Sequence, residues 1–213
     1  MNKAQNFWDK QAKRFDDSQR RFETASEEII ARTKVYLNAH DNVLDFGCAT
    51  GTKTLELASA IKHIHGIDIS SEMIREALRK KNKTNVTNVS FSQGTIFSDD
   101  LVKASFGKII AFSIIHLVEE SDKVIQRIYE LLKPGGLLIT ETACFNDRMN
   151  WKTRLEFTSY RLMKLLNIFP LHLNMFKTAD VEQLISRQNF SILKSEKLFF
   201  NGMTISFIVA EKP

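Results

Sequence analysis

An α/β fold, doubly wound around a mostly parallel seven-stranded sheet, is predicted by three observations. From Asn42 to about Glu141, short apolar runs of strand length alternate with amphipathic helical periodicity, the pattern of parallel strands joined by helical crossovers. A glycine loop follows the first of these runs, at the strand end where doubly wound sheets hold ligands. Two further strand-like runs, joined through Asn201-Gly202, predict an antiparallel edge hairpin on that sheet.

Each element has its own signal. Residues 1–37 read as helical, with Phe7, Trp8 and Phe15 early and Ile29, Ile30, Val35 and Leu37 later, and form a candidate lid. Asn42–Phe46 is a short buried strand; Leu55, Ala58 and Ile61 recur at helical spacing, and His63–Ile67 is a second strand. Ser70-Ser71 caps a helix, Glu72 suits its first turn, and Met73, Ala77 and Leu78 are its inner stripe. Val89–Ser92 is the third strand and Gly107–Ser113 the fourth, central one; the helix that follows carries Val124, Ile125, Ile128, Leu131 and Leu132 on one side. Lys133-Pro134-Gly135-Gly136 breaks that helix, and Leu137–Thr140 is the fifth strand. Residues 143–177 then depart from the rhythm as a helical insert, with Trp151, Leu155, Leu162, Leu165 and Phe169 at helical spacing between Arg148 and Phe169. A helix over Ala179–Arg187, capped by Thr178, precedes the strands Phe190–Ser195 and Met203–Glu211.

Composition narrows the class. The 213 residues, 43% hydrophobic with 8 Gly and 3 Pro, suit one domain with a full core. A net charge of +5, spread along the chain, matches an ordinary solubilising surface and not a nucleic-acid binder. Cys48 and Cys144 lack a C-x-x-C partner and fit a reducing compartment. The charged opening has no apolar signal core, and no stretch approaches the roughly 20 apolar residues that span a bilayer. A cytoplasmic protein without stable membrane insertion is expected. His63 and His65 share one face of the second strand without a third ligand, so no metal is expected.

The loop Asp45-Phe46-Gly47-Cys48-Ala49-Thr50-Gly51 fits no dinucleotide fingerprint, since G-x-G-x-x-G requires glycine where Ala49 and Thr52 stand. It fails as a phosphate loop as well, because Gly51-Thr52-Lys53 has the wrong order. Its glycines still permit close approach of backbone to a ligand.

The same residues resemble class I S-adenosylmethionine-dependent methyltransferases. Asp45-x-Gly47-x-Ala49-x-Gly51 is similar to their glycine motif with alanine at the middle glycine, Gly66-Ile67-Asp68 to their second signature, Gln93-Gly94-Thr95 to their third, and Leu132-Lys133-Pro134-Gly135-Gly136 to the turn before their fifth strand. Phe7-Trp8-Asp9-Lys10-x-Ala12-x-x-Phe15 extends the likeness to the quinone and sterol type. The resemblance implies a Rossmann-like sheet, S-adenosyl-L-methionine as cofactor, and a small apolar or aromatic acceptor. It implies that Asp45, Gly47, Cys48, Ala49 and Gly51 surround the amino-acid end of the cofactor, and that Asp68, about 20 residues on, accepts from its ribose diol. Ile69, Met73 and Ile96 are the implied adenine contacts beside Gly94 and Thr95, where Thr95 stands in place of the usual aspartate. Phe112 and Ser113 then lie near the methyl donor.

His116, three residues past the fourth strand, is the candidate general base, its ordinary pKa near 6.5 suiting proton removal from a hydroxyl or amine. Methyl transfer is an in-line displacement that depends mostly on holding the nucleophile about 3 Å from the methyl in a dry pocket. Trp8, Phe15, Trp151 and Tyr160 are candidate substrate-lid residues, and the basic amphipathic insert admits peripheral contact with a membrane surface. The fourth strand ends Phe112-Ser113-Ile114-Ile115, without the Asn-Pro-Pro-aromatic signature of base methylation. A catalytically silent cofactor-binding scaffold, or a methyltransferase acting on RNA or protein, is the alternative on the same fold.

Overall fold

The computed structural model describes residues 3–155, 157–158 and 171–213. Helix α1 (Lys3–Gln19), a 3-10 turn at Arg20–Phe22 and α2 (Glu23–Lys34) lead into β1 (Asn42–Phe46). There follow α3 (Thr52–Leu57), β2 (His63–Asp68), α4 (Ser71–Lys81), β3 (Val89–Gln93), β4 (Phe106–Phe112), α5 (Ser121–Leu131) and β5 (Leu132–Ala143). The chain closes with α6 (Thr178–Ser186), β6 (Ser191–Phe200) and β7 (Met203–Glu211). Residues 151–155 and 157–158 are helical, as the insert predicts; Tyr160, Leu162, Leu165 and Phe169 lie outside the described residues.

The seven strands form one sheet in the order β3-β2-β1-β4-β5-β7-β6. Pairs from β3 through β5 are parallel, while β7 runs antiparallel to both β5 and β6. The predicted hairpin therefore forms, with its second strand folded inward. Burial explains the order: Thr204–Ala210 of β7 are all buried, whereas β6 alternates outward with Lys194, Glu196 and Lys197. Charged residues on an edge strand discourage pairing with another chain.

Successive strand residues serve opposite faces of the sheet. Leu44, Ile109, Leu138 and Ile208 join Ile125 and Ile128 of α5 and Leu184 and Ile185 of α6 in one core. Val43, Ile110, Ile139 and Val209 join Ile29 and Ile30 of α2 and Leu57 of α3 in the other. This two-faced burial is what continuous apolar strands encode.

Two local expectations are corrected. The Lys133–Gly136 turn does not separate α5 from its strand; β5 begins at Leu132, paired with Phe106, and the turn is accommodated before Lys108 pairs with Leu137. Gly135, at φ +71°, donates its N–H to Lys212 O (2.7 Å), so the bulge is fastened to the end of β7. The cap of α6 is Lys177, whose N–H donates to the Asp180 carboxylate (2.7 Å), and not Thr178; the Thr178 hydroxyl donates to Asp147 instead (2.6 Å). At α4 the expected cap is present, with Ser70 Oγ accepting from Met73 N (3.1 Å).

Candidate active site

The loop after β1 is wound through three left-handed residues, Gly47 (φ +78°), Ala49 (φ +48°) and Gly51 (φ +72°). At Gly51 a Cβ would stand 2.6 Å from the Phe91 ring and 2.9 Å from Ala77 Cβ, so space and φ both require glycine there. Ala49 accepts a conformation that costs a non-glycine residue about 1 kcal/mol. Its N–H donates to Asp68 Oδ2 (3.1 Å), which ties the loop to β2. Gly47 N and Cys48 N both donate to Ile67 O, and Gly51 N donates to Cys48 O. These backbone donors are thus occupied within the loop, which offers a ligand closeness more than hydrogen bonds.

Two carboxylates flank the loop. Asp45 is buried at the end of β1 and accepts from Thr54 Oγ1 (2.6 Å); burial pushes its carboxyl up to about 6 against the opposing Thr54 hydrogen bond and Lys53 charge. Asp68, at the end of β2, accepts from Ala49 N on one oxygen and Ser70 N on the other, and burial pushes it up to about 6 too. A carboxylate has about four lone-pair positions. One position on each oxygen of Asp68 is left, the number a vicinal diol needs. The residues fit an adenosyl group carrying an ammonium, since both carboxylates lie on neighbouring strand ends and burial raises both, so that an added cation or donor would favour their charged form.

The remaining predicted contacts divide. Met73 and Ile96 are fully buried, Ile96 inside the larger core, while Ile69 is partly exposed and available to a flat ring. Gly94 N donates to Asp68 O (2.9 Å) and fixes the third loop beside Asp68. Thr95 is exposed, and its hydroxyl accepts from Phe97 N (3.2 Å), closing its own turn.

At the end of β4 a cavity of about 210 Å³ opens, lined by Phe22, Lys53, Ser113, His116, Glu141 and Phe145 among others. Ser113 sits at φ +52°; its N–H donates to Glu141 O (2.8 Å) and its hydroxyl to Glu141 Oε2 (2.6 Å). His116 is carried on the 3-10 turn Ile115–Leu117 and is only 7% exposed, edge-on to Phe145 at 5.4 Å. Its Nδ1 has no hydrogen-bond partner among the described residues, and burial pulls its pKa down to about 4. It is therefore a neutral imidazole at pH 7. His116 O accepts from Asn174 N (2.8 Å) and Val118 O from Asn174 Nδ2 (2.7 Å), fastening the His116 turn to the last part of the insert.

A second cavity of about 310 Å³ lies between α1 and the insert, with Trp8, Phe15, Phe157 and Leu173 in its wall; Gln19 and Phe145 line both cavities. Of the four candidate lid residues, Trp8 and Phe15 line this second cavity. Trp151 does not join them: it is 72% exposed, with the Lys152 ammonium 5.6 Å from its ring. Helix α1 buries only Ala12 fully and is held by polar ties. Asp9 accepts from Ser70 Oγ (2.6 Å) and Glu72 N (3.2 Å), while Asp16 accepts from Thr50 Oγ1 (2.6 Å) and pairs with Lys80 (2.6 Å).

Sequence reasoning missed Glu141, Phe145 and Gln19. Glu141 carried a usable signal, an acid ending an otherwise apolar strand, the same feature that marked Asp45 and Asp68. Gln19 and Phe145 carried none, because only the meeting of α1 with the end of β5 brings them together.

A parallel sheet with a glycine loop after β1 and an acid at the end of β2 defines the class, a nucleoside-binding transferase fold of the S-adenosylmethionine type. The chain belongs to the methyltransferase domain family, whose model matches residues 37–196. It is similar to a phosphoethanolamine N-methyltransferase of Plasmodium falciparum, 28% identical over 148 residues that cover 68% of this chain and 54% of that protein. The chain spans about half the length, or less, of the first curated relatives it matches. Among solved structures, a SAM-dependent methyltransferase of Methanosarcina mazei superposes with a TM-score of 0.69 at 22% identity, covering 83% of this chain and 94% of that one. The [4+2]-cyclase SpnF superposes at 0.71 with 20% identity, covering 89% and 81%.

Proposed function

We propose that this protein transfers the methyl group of S-adenosyl-L-methionine to a small acceptor with an apolar or aromatic body, bound in the cavity beside His116. The observation that carries the reading is the placement of a buried imidazole, its Nδ1 without a partner among the described residues, in a cavity at the end of β4, next to a loop and two carboxylates suited to the cofactor. When bound, the cofactor supplies an electrophilic methyl on a sulfonium. Asp68 holds the ribose end, Asp45 attracts the ammonium, and Ala49 and Gly51 let the loop lie close. His116 receives a hydrogen bond from the acceptor and orients its attacking atom, while Phe22 and Phe145 exclude water.

Calorimetry with S-adenosylmethionine and S-adenosylhomocysteine tests the cofactor. Binding of both is expected, with Asp68→Ala weakening it at least tenfold and His116→Ala leaving it unchanged; no binding of either would sink the reading. Labelled methyl transfer to small-molecule extracts then tests catalysis, in which His116→Ala lowers turnover. A silent scaffold, the alternative, would bind the cofactor and label nothing.

Two finer readings belong to the proposal. Among the described residues no helix is long and apolar enough to cross a membrane, and the buried free cysteines favour a reducing, cytoplasmic setting. Trp151, Leu155 and Phe199 are exposed beside Arg148, Lys152 and Arg154, with the Arg148 guanidinium 5.0 Å over the Phe199 ring. Apolar side chains amid cations suit peripheral contact with an anionic bilayer.

A further inference from the structure

We propose that Glu141 is the acceptor-selecting residue, and that the acceptor is an amine that enters the cavity as an ammonium ion. The inference rests on the methyl-transfer reading above and specifies its substrate class. Glu141 is only 4% exposed, yet it lines the cavity that holds His116. Among the described residues its side-chain partner is the Ser113 hydroxyl, which donates to Oε2. Among the described residues no cation lies within ion-pair distance of it. Lys53, the one ammonium among the described residues of the same cavity wall, lies 5.3 Å from the Phe112 ring and acts on Asp45.

A buried carboxylate without a cation is costly, and proteins retain one where a ligand supplies the missing charge. The rest of the wall gives a cationic guest nothing to oppose it except Lys53, and much that suits an apolar body: Phe22, Ile29, Phe145 and Ile205. His116 is neutral and offers Nδ1 as a further hydrogen-bonding position.

The charge balance of the reaction favours the same guest. The ammonium releases one proton to solvent; its nitrogen lone pair then forms the N–C bond as the S–C bond breaks. The sulfonium becomes a neutral thioether, and the positive charge moves to the product nitrogen. Measured from the neutral amine that reacts, that charge develops beside Glu141, which therefore stabilises the transition state more than the neutral-amine complex, while its ion pair with the incoming ammonium supplies binding. A neutral hydroxyl acceptor brings no cation to Glu141 and so forms no ion pair with it on binding.

The test uses the full chain saturated with S-adenosylhomocysteine, titrated with benzylamine and with benzyl alcohol, which share shape and differ in charge. Benzylamine is expected to bind at least tenfold more tightly than the alcohol, and Glu141→Gln to reduce that preference to within twofold while leaving S-adenosylhomocysteine affinity unchanged. Ser113→Ala, which keeps the carboxylate, is expected to retain the preference. Equal binding of the two probes, tighter binding of the alcohol, no binding of benzylamine at millimolar concentration, or a preference that survives Glu141→Gln would each overturn the proposal. If Glu141→Gln fails to fold, the comparison of the two probes on the unaltered protein decides it. Failure of S-adenosylhomocysteine to bind, measured first, would instead overturn the cofactor reading beneath it.

Discussion

Asp45 and Asp68 carry a conflict between stability and binding. Each carboxyl is raised from 3.8 to about 6, chiefly by burial, so the folded chain holds these protons more tightly than the unfolded one. The stability they contribute is full below about pH 3.8 and is lost as pH rises through about 6. His116 works in the opposite sense. Its pKa falls from 6.5 to about 4, so its contribution is present above 6.5 and lost as pH falls through 4. In the ligand-free protein, Asp45→Asn keeps an acceptor for Thr54 and removes a buried charge. It is expected to raise unfolding free energy at pH 7.5 by about 1–3 kcal/mol, with the gain gone at pH 4, in urea titrations at the two pH values. Because the cofactor's ammonium and diol favour ionised carboxylates, its affinity should rise with pH through about 6, readable as buffer-dependent heats at pH 6. An affinity flat between pH 5 and 7.5 would remove both residues from the site.

Helix α1 packs against α4 and is held differently from the strands of the sheet. With only Ala12 fully buried, its attachment rests on Asp9 at the start of α4 and on Asp16 at Lys80 and Thr50. Elements with few buried apolar contacts open locally at low cost. Amides of α1 should exchange with deuterium faster than those of β1 and β4, and Asp16→Ala should speed them further while lowering global stability by no more than about 1 kcal/mol. Equal protection of α1 and the central strands would show that it does not act as a lid. The insert bears a separate expectation: vesicles rich in anionic lipid should retain the protein and neutral ones should not, with Trp151→Ser and Phe199→Ser together abolishing retention. These helices were legible in the sequence because periodicity is local. Trp151 was grouped with Trp8 and Phe15 because residue type does not reveal which side of an amphipathic segment faces the cavity.

For the molecule as a whole, the sheet's last pair matters most. β7 fills the slot between β5 and β6, and Phe207 within it is 1% exposed in the core with Val43, Ile64 and Ile110. Phe207→Ala should cost about 3–5 kcal/mol, visible as a cooperative loss of thermal stability far larger than that of a substitution at exposed Leu193. Class and strand number were readable because alternation of apolar runs and helical stripes reports a parallel sheet directly. The position of β7 was not, since a hairpin's local signals are the same whichever strand faces the neighbour; the run Ile205–Ala210, apolar except for Ser206, beside the mixed Ser191–Phe200 was the available clue. The site divided in the same way. Asp45, Gly51 and Asp68 belong to strand ends and turns, which sequence marks, whereas Phe145 and Gln19 acquire their place only when separate elements meet.

The bond between Asn174 and the turn that carries His116 limits how this scaffold can be re-engineered. The segment 143–177 ends at the cap of α6, beyond Asn174, so an exchange that stops short of residue 174 would keep this tie and one that runs to the cap would replace it together with the insert.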